Sequence, residues 1–231
     1  DLLGWQKNVD NQYEDLTLCG RLANVSSAGD ENQRRFFYPP ASASTLDGLD
    51  VVALGSGTRP FPTSRDVANR FYVFFDQGWA PGANNEQVLS TITESNLWEI
   101  GTERADNTKG WYLKLPHPGE KSLGSPVIVP DKQVILFTTY TPPLQEEGKC
   151  PSGMGKSRLY ALGLYTGNSA FKELGVETES KSIEIGDGLI SNIQLAVGNN
   201  KDGERPRGLI KPNIPFPDMP GAERVFWLQI E

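Results

Sequence analysis

Short runs with apolar residues at every second position or in unbroken clusters, each cut off by glycine or proline, limit what this chain can fold into more than any other feature. Leu49 to Leu54, Arg70 to Phe75, Trp111 to Leu115, Ser125 to Val129, Gln133 to Tyr140, Ser157 to Leu164, Lys181 to Ile185, Leu189 to Val197 and Val225 to Ile230 all read this way. A period of two sends side chains to opposite faces of a strand, whereas a helix repeats its apolar face every three to four residues. Only Val88 to Glu99 offers helical spacing, through Val88, Thr91 and Ile92, and the neighbouring Trp98 and Ile100 fit a strand equally well. The pattern predicts about ten strands and almost no helix, hence an all-β sandwich, barrel or propeller rather than a βαβ design. The 24 glycines and 17 prolines agree, because both residues interrupt regular elements.

The turns are legible too. Asp47-Gly48 precedes the first apolar run, Pro130-Asp131-Lys132 joins two others as a hairpin, and Tyr165 to Asn168 closes a third. The first 35 residues carry few periodic signals, and Ala41 to Thr45 reads as a small polar linker. Surface loops are expected at Gly78 to Gln87, Thr141 to Lys156 and Gly198 to Gly208. No clear boundary divides the chain, so residues 1–231 are expected to form one domain, weakest near residues 40–46 and around Cys150.

Formal charge is -7, with the acids scattered, which leaves no wide basic track for a phosphate backbone and excludes nucleic acid as an expected partner. Apolar runs such as Val134 to Phe137 fall far short of the roughly 20 residues a membrane helix needs, so no direct membrane span is expected. No signal-peptide pattern opens the sequence, so any targeting segment is expected to have been removed or to lie outside it. Cys19 and Cys150 fit neither a redox pair nor a zinc knuckle; one long-range disulfide and two thiols are both open.

Five chemical motifs come close and fail. Gly55-Ser56-Gly57 needs a third glycine three residues on and a helix behind it to bind a pyrophosphate, but Pro60 stands there and Pro62 follows. Cys150 to Ser157 resembles a Walker A loop with Cys150 in place of its first glycine, and Arg158 to Leu162 alternates as a strand where a helix is required, leaving Lys156 as a solvated loop lysine. The single histidine, His117, sits between two prolines, so no histidine cluster holds zinc and no nucleophile elbow supplies a serine partner. Asp66, Asp76, Glu99 and Asp187 lie near strand ends and read more simply as turn or cap formers than as a glycosidase pair. Asn199 to Glu204 has the oxygens of a cation loop at the wrong spacing, with Lys201 inside it. Catalytic, cofactor-binding and metal-binding residues are therefore expected to be absent.

Taken in order, the motifs resemble the carboxy-terminal β-propeller domain of the PilY1/PilC family of type IV pilus biogenesis proteins. The run G-S-G-T-R-P-F-P from Gly55, followed after six residues by N-R-F-Y-V-F-F-D ending at Asp76, is similar to the family's G-S-G, proline turn and D-R-F-Y segment, with Asn69 where the family usually has aspartate. Lys109 to Glu120 resembles G-W-Y-L-D-L-P-x-x-G-E, Val134 to Pro142 its V-x-F-T-T-Y-x-P strand, Arg158 to Gly167 its L-Y-A-L-D-x-x-T-G strand, and Gly186 to Ser191 its G-x-G-I-x-S turn. Arg34 to Pro40 and Phe226-Trp227 match the family's flanking segments, so the resemblance covers residues 33–230. The positions it marks as structural are Gly55, Gly57, Arg70, Phe71, Tyr72, Asp76, Gly110, Trp111, Tyr112, Gly119, Glu120, Gly186 and Gly188.

The resemblance implies four-stranded antiparallel blades, seven when the propeller is complete, with this chain covering roughly half of the ring as its carboxy-terminal portion. It implies a non-enzymatic pilus biogenesis factor at the pilus tip or outer surface, periplasmic in transit, that assembles with minor pilins, opposes retraction and contributes to adhesion and twitching motility. Expected partners are the pilus-tip complex, the missing blades and a host or surface receptor, met through loops at Asp76 to Asn84, Pro142 to Lys156 and Gly198 to Pro206. The family's calcium loop has no match here, so no cofactor is expected in this chain. An oxidising location favours a disulfide, with Cys19 to Cys150 as the implied pairing and the missing half as the other partner for Cys19. The alternatives are a carbohydrate-binding propeller, for which exposure of Trp79 is the discriminating feature, and a propeller enzyme such as a glycosidase or a quinone-dependent dehydrogenase.

Overall fold

A computed structural model describes residues 2–7, 13–26, 33–76, 91–144, 153–189, 193–197 and 207–210. Strands β1 (Leu2–Lys7) and β2 (Tyr13–Gly20) pair as an antiparallel hairpin, in a stretch whose sequence carries few strand signals. After β3 (Ala23–Asn24) come β4 (Ala41–Ser44), β5 (Asp50–Gly55) and β6 (Arg70–Asp76). β7 (Ile92–Thr93) and β8 (Trp98–Glu99) flank a 3-10 turn at Glu94–Asn96, so the described part of the ambiguous segment, residues 91–99, is strand and tight turn. There follow β9 (Gly110–Lys114), β10 (Lys121–Ser122), β11 (Val127–Val129), β12 (Val134–Thr141), β13 (Lys156–Gly163) and β14 (Ser182–Asp187). β15 (Gln194–Val197) and β16 (Arg207–Ile210) form a separate two-stranded pair.

Two sheets dominate. The first has the order β4-β5-β6-β9-β8, antiparallel except for the parallel pair β8-β9. The second runs β12-β13-β14, with β10 and β11 sharing the other edge of β12 opposite its two halves. Each sheet therefore contains a four-stranded meander of strands in chain order. The fold is all-β.

Four readings need correction. Ala41 to Thr45 is not a linker: β4 pairs with β5 throughout, and its alternating half-buried and exposed alanines and serines are too small to give a hydrophobic signal. Lys156 is exposed as expected but is not in a loop, since it opens β13, where its ammonium lies 2.8 Å from both Glu184 and Asp187. The strand expected from Leu189 to Val197 is present among the described residues only at Gln194–Val197, and the loop expected to end at Gly208 gives way to β16 at Arg207. The final apolar run Val225 to Ile230, Trp79, Cys150 and the Asn199 to Glu204 loop lie outside the described residues.

The core explains why β6 and β12 read as nearly continuous apolar runs: both faces of each are covered. Phe71, Val73, Phe75, Trp111 and Leu113 from the first sheet meet Ile135, Phe137, Tyr160 and Leu162 from the second. The alternate residues Tyr72 and Phe74 turn the other way, onto Ile92, Leu97, Leu22 and Phe36. Val134, Leu136, Leu159 and Ala161 face away from the first sheet, onto Ala170, Phe171 and Leu174. Phe71 stacks on Phe137 and Phe137 on Tyr160, with centroids 3.6 and 4.7 Å apart and planes within 7° of parallel. Trp111 adds a directional tie, its indole N–H donating to the Leu164 carbonyl at 2.7 Å.

Candidate functional site

Two polar clusters stand out, one buried and one half-buried, and most of the motif residues fall in or beside them. The first lies where β5 ends and the chain crosses to β6. The Ser56 amide donates to the Arg70 carbonyl, the Ser122 amide to the Ser56 carbonyl, and the Gly57 amide to the Arg35 carbonyl, at 2.9, 3.0 and 2.9 Å. The Ser56 hydroxyl reaches Asn69 Oδ1, and the Asn69 amide nitrogen donates to the Glu120 carbonyl at 3.0 Å. A Cβ on Gly55 would stand 2.2 Å from the Ser122 Cβ, and one on Gly57 2.8 Å from the Lys121 Cβ. Close approach of two backbones is what this Gly-x-Gly provides, and side chains would prop the strands apart.

Glu120 and Lys121 are 1% and 2% exposed, yet each is satisfied separately. The Glu120 carboxylate accepts from the Thr139 hydroxyl at 2.5 Å, the Tyr160 hydroxyl at 3.0 Å and the His117 amide at 3.1 Å. The Lys121 ammonium donates to the Gly119 carbonyl at 2.7 Å and to the Ser64 carbonyl. Burial, with nearby Arg65 acting in the same direction and Asp66 opposing, lowers the Lys121 pKa to about 8. Burial and the neighbouring Glu120 raise that of Tyr160.

The second cluster lies on the opposite face of the first sheet. Glu94 accepts from the Tyr72 hydroxyl at 2.5 Å and pairs with Arg34 at 3.2 Å and with Arg70. The Arg34 side chain, 1% exposed, also donates to the Ala68 and Val25 carbonyls, tying the segment before β4 to the sheet. Arg70 lies over the Tyr112 ring, 4.8 Å from its centroid, and the Tyr112 hydroxyl donates to Glu99, which Lys114 pairs at 2.8 Å. Burial first, then the Glu94 contact, pushes the Tyr72 pKa up; the same two causes, with Glu99 as the acceptor, bring Tyr112 to about 12. The Lys114 contact outweighs burial and lowers that of Glu99.

Of the other marked positions, Phe71 and Trp111 build the layer between the sheets. Gly110 opens β9 at φ 135°, where a Cβ would meet the Val73 carbonyl oxygen at 2.1 Å. Gly119 sits in the turn closed by the Glu120 amide and His117 carbonyl, Gly186 and Gly188 lie at the end of β14, and Asp76 ends β6 opposite Asp50. Cys19 lies in β2, but the implied Cys19–Cys150 pairing falls outside the described residues at Cys150. Asp66 accepts from the Ser64 hydroxyl and Asp187 pairs Lys156, as turn and edge residues do.

What these clusters can do chemically is bounded by access. Glu120 and Lys121 are almost wholly removed from the surface, and their hydrogen bonds run to segments of this chain. Both clusters act as locks between distant segments. Among the described residues no three His, Cys, Asp or Glu side chains gather as a metal site, and no helix is long and apolar enough to cross a membrane. Glu120 is legible through its motif, whereas Lys121 and Glu94 are not, because a charge beside a turn normally reads as solvated, and the role of Asn69 depends on Ser56 and Glu120, which are distant in the chain. Comparison with protein-family models, with curated proteins and with solved structures found no match.

Proposed function

We propose that the chain is the carboxy-terminal part of a PilY1/PilC-type β-propeller that works without catalysis as a type IV pilus biogenesis factor, at the pilus tip or outer surface, with minor pilins as partners. The observation that carries this reading is the face-to-face stacking of two four-stranded antiparallel meanders that follow one another in the chain. Successive blades of a propeller are connected and packed in that way. Support also comes from the outer faces of the two sheets, which are both apolar and packed against further segments, as interior members of a ring require. Gly55, Gly57, Arg70, Tyr72, Tyr112 and Glu120 sit in the polar clusters that join distant segments, and Phe71 and Trp111 in the layer between the sheets, where a rigid scaffold needs them. A scaffold of this kind presents loops to a partner and needs no reactive group.

The test is removal of residues 33–210 from the native locus, with surface pili counted by electron microscopy. The expected result is loss of surface pili and twitching, with pili restored when the retraction motor is also removed. Unchanged piliation and twitching would overturn the reading.

A further inference from the structure

Two Arg-x-Phe segments, Arg35-Phe36-Phe37 and Arg59-Pro60-Phe61, lie side by side on the surface beside the glycine crossing. The Gly57 amide donates to the Arg35 carbonyl at 2.9 Å, and the Arg59 guanidinium donates to the Tyr38 hydroxyl, so the two segments are tied at both ends of the contact. Alternation fixes which side chains face out. Arg34 is buried on Glu94 and Phe36 packs edge-on to Tyr72, centroids 6.0 Å apart, which turns Arg35 and Phe37 to solvent. Phe37 and Phe61 are 48% and 62% exposed, among the few large apolar side chains so placed. Prolines at 39, 40, 60 and 62 restrict both backbones, so little ordering is needed when this surface is covered.

We propose that this surface docks an extended protein segment carrying carboxylate and apolar side chains at alternate positions. Charge complementarity identifies the occupant. Arg35 and Arg59 are exposed and have no carboxylate within ion-pair distance among the described residues, although the chain as a whole carries -7. An extended ligand segment places residues i and i+2 on one face, and it would meet Arg35 and Phe37 before β4 and Arg59 and Phe61 in the neighbouring turn, all four exposed. Arginine and aromatic side chains are the composition enriched at protein interfaces. A glycan fits less well, because phenylalanine rings offer no hydrogen bonds to hydroxyls and the Tyr38 hydroxyl is already engaged by Arg59. A symmetric pairing of two copies would gather four guanidinium groups, Arg35 and Arg59 from each, in one small interface. The inference stands on these side chains and is independent of the pilus reading.

The probe is a fluorescein-labelled peptide, Ser-Glu-Thr-Leu-Thr-Glu-Thr-Leu-Ser, titrated with the intact protein at low ionic strength and followed by anisotropy. A control carries glutamine for both glutamates. Binding to the glutamate peptide is expected, weaker by roughly tenfold for the glutamine peptide and for Arg59→Glu or Arg35→Glu, and falling with added salt. Phe61→Ser is expected to weaken it by a similar factor with an unchanged melting temperature, since that ring is exposed. No binding at millimolar peptide, equal binding of both peptides, or indifference to all three substitutions would overturn the proposal. So would tetragalacturonate binding as tightly as the peptide with the same Arg59→Glu sensitivity, or self-association in ultracentrifugation that Arg59→Glu abolishes.

Discussion

Between the two sheets Phe71, Phe137 and Tyr160 meet ring on ring, whereas at the end of the same contact Ser56, Asn69, Glu120 and Ser122 meet through hydrogen bonds. Tyr160 belongs to both regions, its ring in the stack and its hydroxyl on Glu120. The apolar layer holds by area removed from water, which is large and indifferent to direction. The polar crossing gains little net energy per bond but penalises any arrangement that leaves a donor or carboxylate unpaired. One region gives the sheets a reason to associate; the other fixes how the crossing segments sit against them.

The largest effect should come from the apolar layer. Trp111→Ala removes a fully buried ring against Phe71 and orphans the Leu164 carbonyl, and urea denaturation should register a loss of about 4 kcal/mol. In the crossing, Glu120→Ala leaves two hydroxyls and one amide without their acceptor, at about 3 kcal/mol, while Glu120→Gln keeps one acceptor oxygen and should cost about half as much. No loss for Glu120→Gln beside a large loss for Glu120→Ala would mean that volume rather than hydrogen bonding governs the site, and equal losses would mean that one acceptor oxygen recovers nothing. Gly55→Ala should cost about 2 kcal/mol by pushing β5 off Ser122, and much less in a Ser122→Gly background. Additive losses in the double variant would show that the two backbones do not press on each other.

The smallest effect is electrostatic. The Lys121 pKa is lowered from 10.5 to about 8 in the folded chain, so between those values the unfolded chain binds more protons and this group's contribution to stability rises with pH. Tyr160 and Tyr72 are shifted upward by burial, so their contributions are present below about pH 10 and lost above it. From pH 8 to 10 the stability of the native protein should therefore gain on that of Lys121→Met by up to about 1 kcal/mol per pH unit. A flat difference across that range would place the ammonium in contact with water.

The apolar half of this comparison was legible in the sequence and the polar half only in outline. Phe71, Val73, Ile135 and Phe137 announce themselves, because a strand covered on both faces must be apolar at every position. β4 was missed for the opposite reason: alanine and serine pair through the backbone and leave no hydrophobic trace. The motif Gly55-Ser56-Gly57 was visible as something other than a phosphate cradle, through Pro60, but its purpose depends on Ser122 and Lys121, far along the chain. Glu94 gave no sign of joining Arg34 and Arg70, since an acid in a short turn is indistinguishable in sequence from a solvated one.

The sequence by itself determined the all-β class, the positions of most long strands and the Pro130-Asp131-Lys132 turn. Those follow from side-chain alternation and from proline and glycine backbone limits, which act over a few residues. Only the tertiary structure decided which charges are buried and which aromatic rings are left outside. Glu120 survives inside because Tyr160, 40 residues later, supplies a hydroxyl, and Lys121 because the Ser64 carbonyl, 57 residues earlier, faces it. A buried charge is tolerated only where its partners converge, and that convergence is a property of the packed chain rather than of any local stretch.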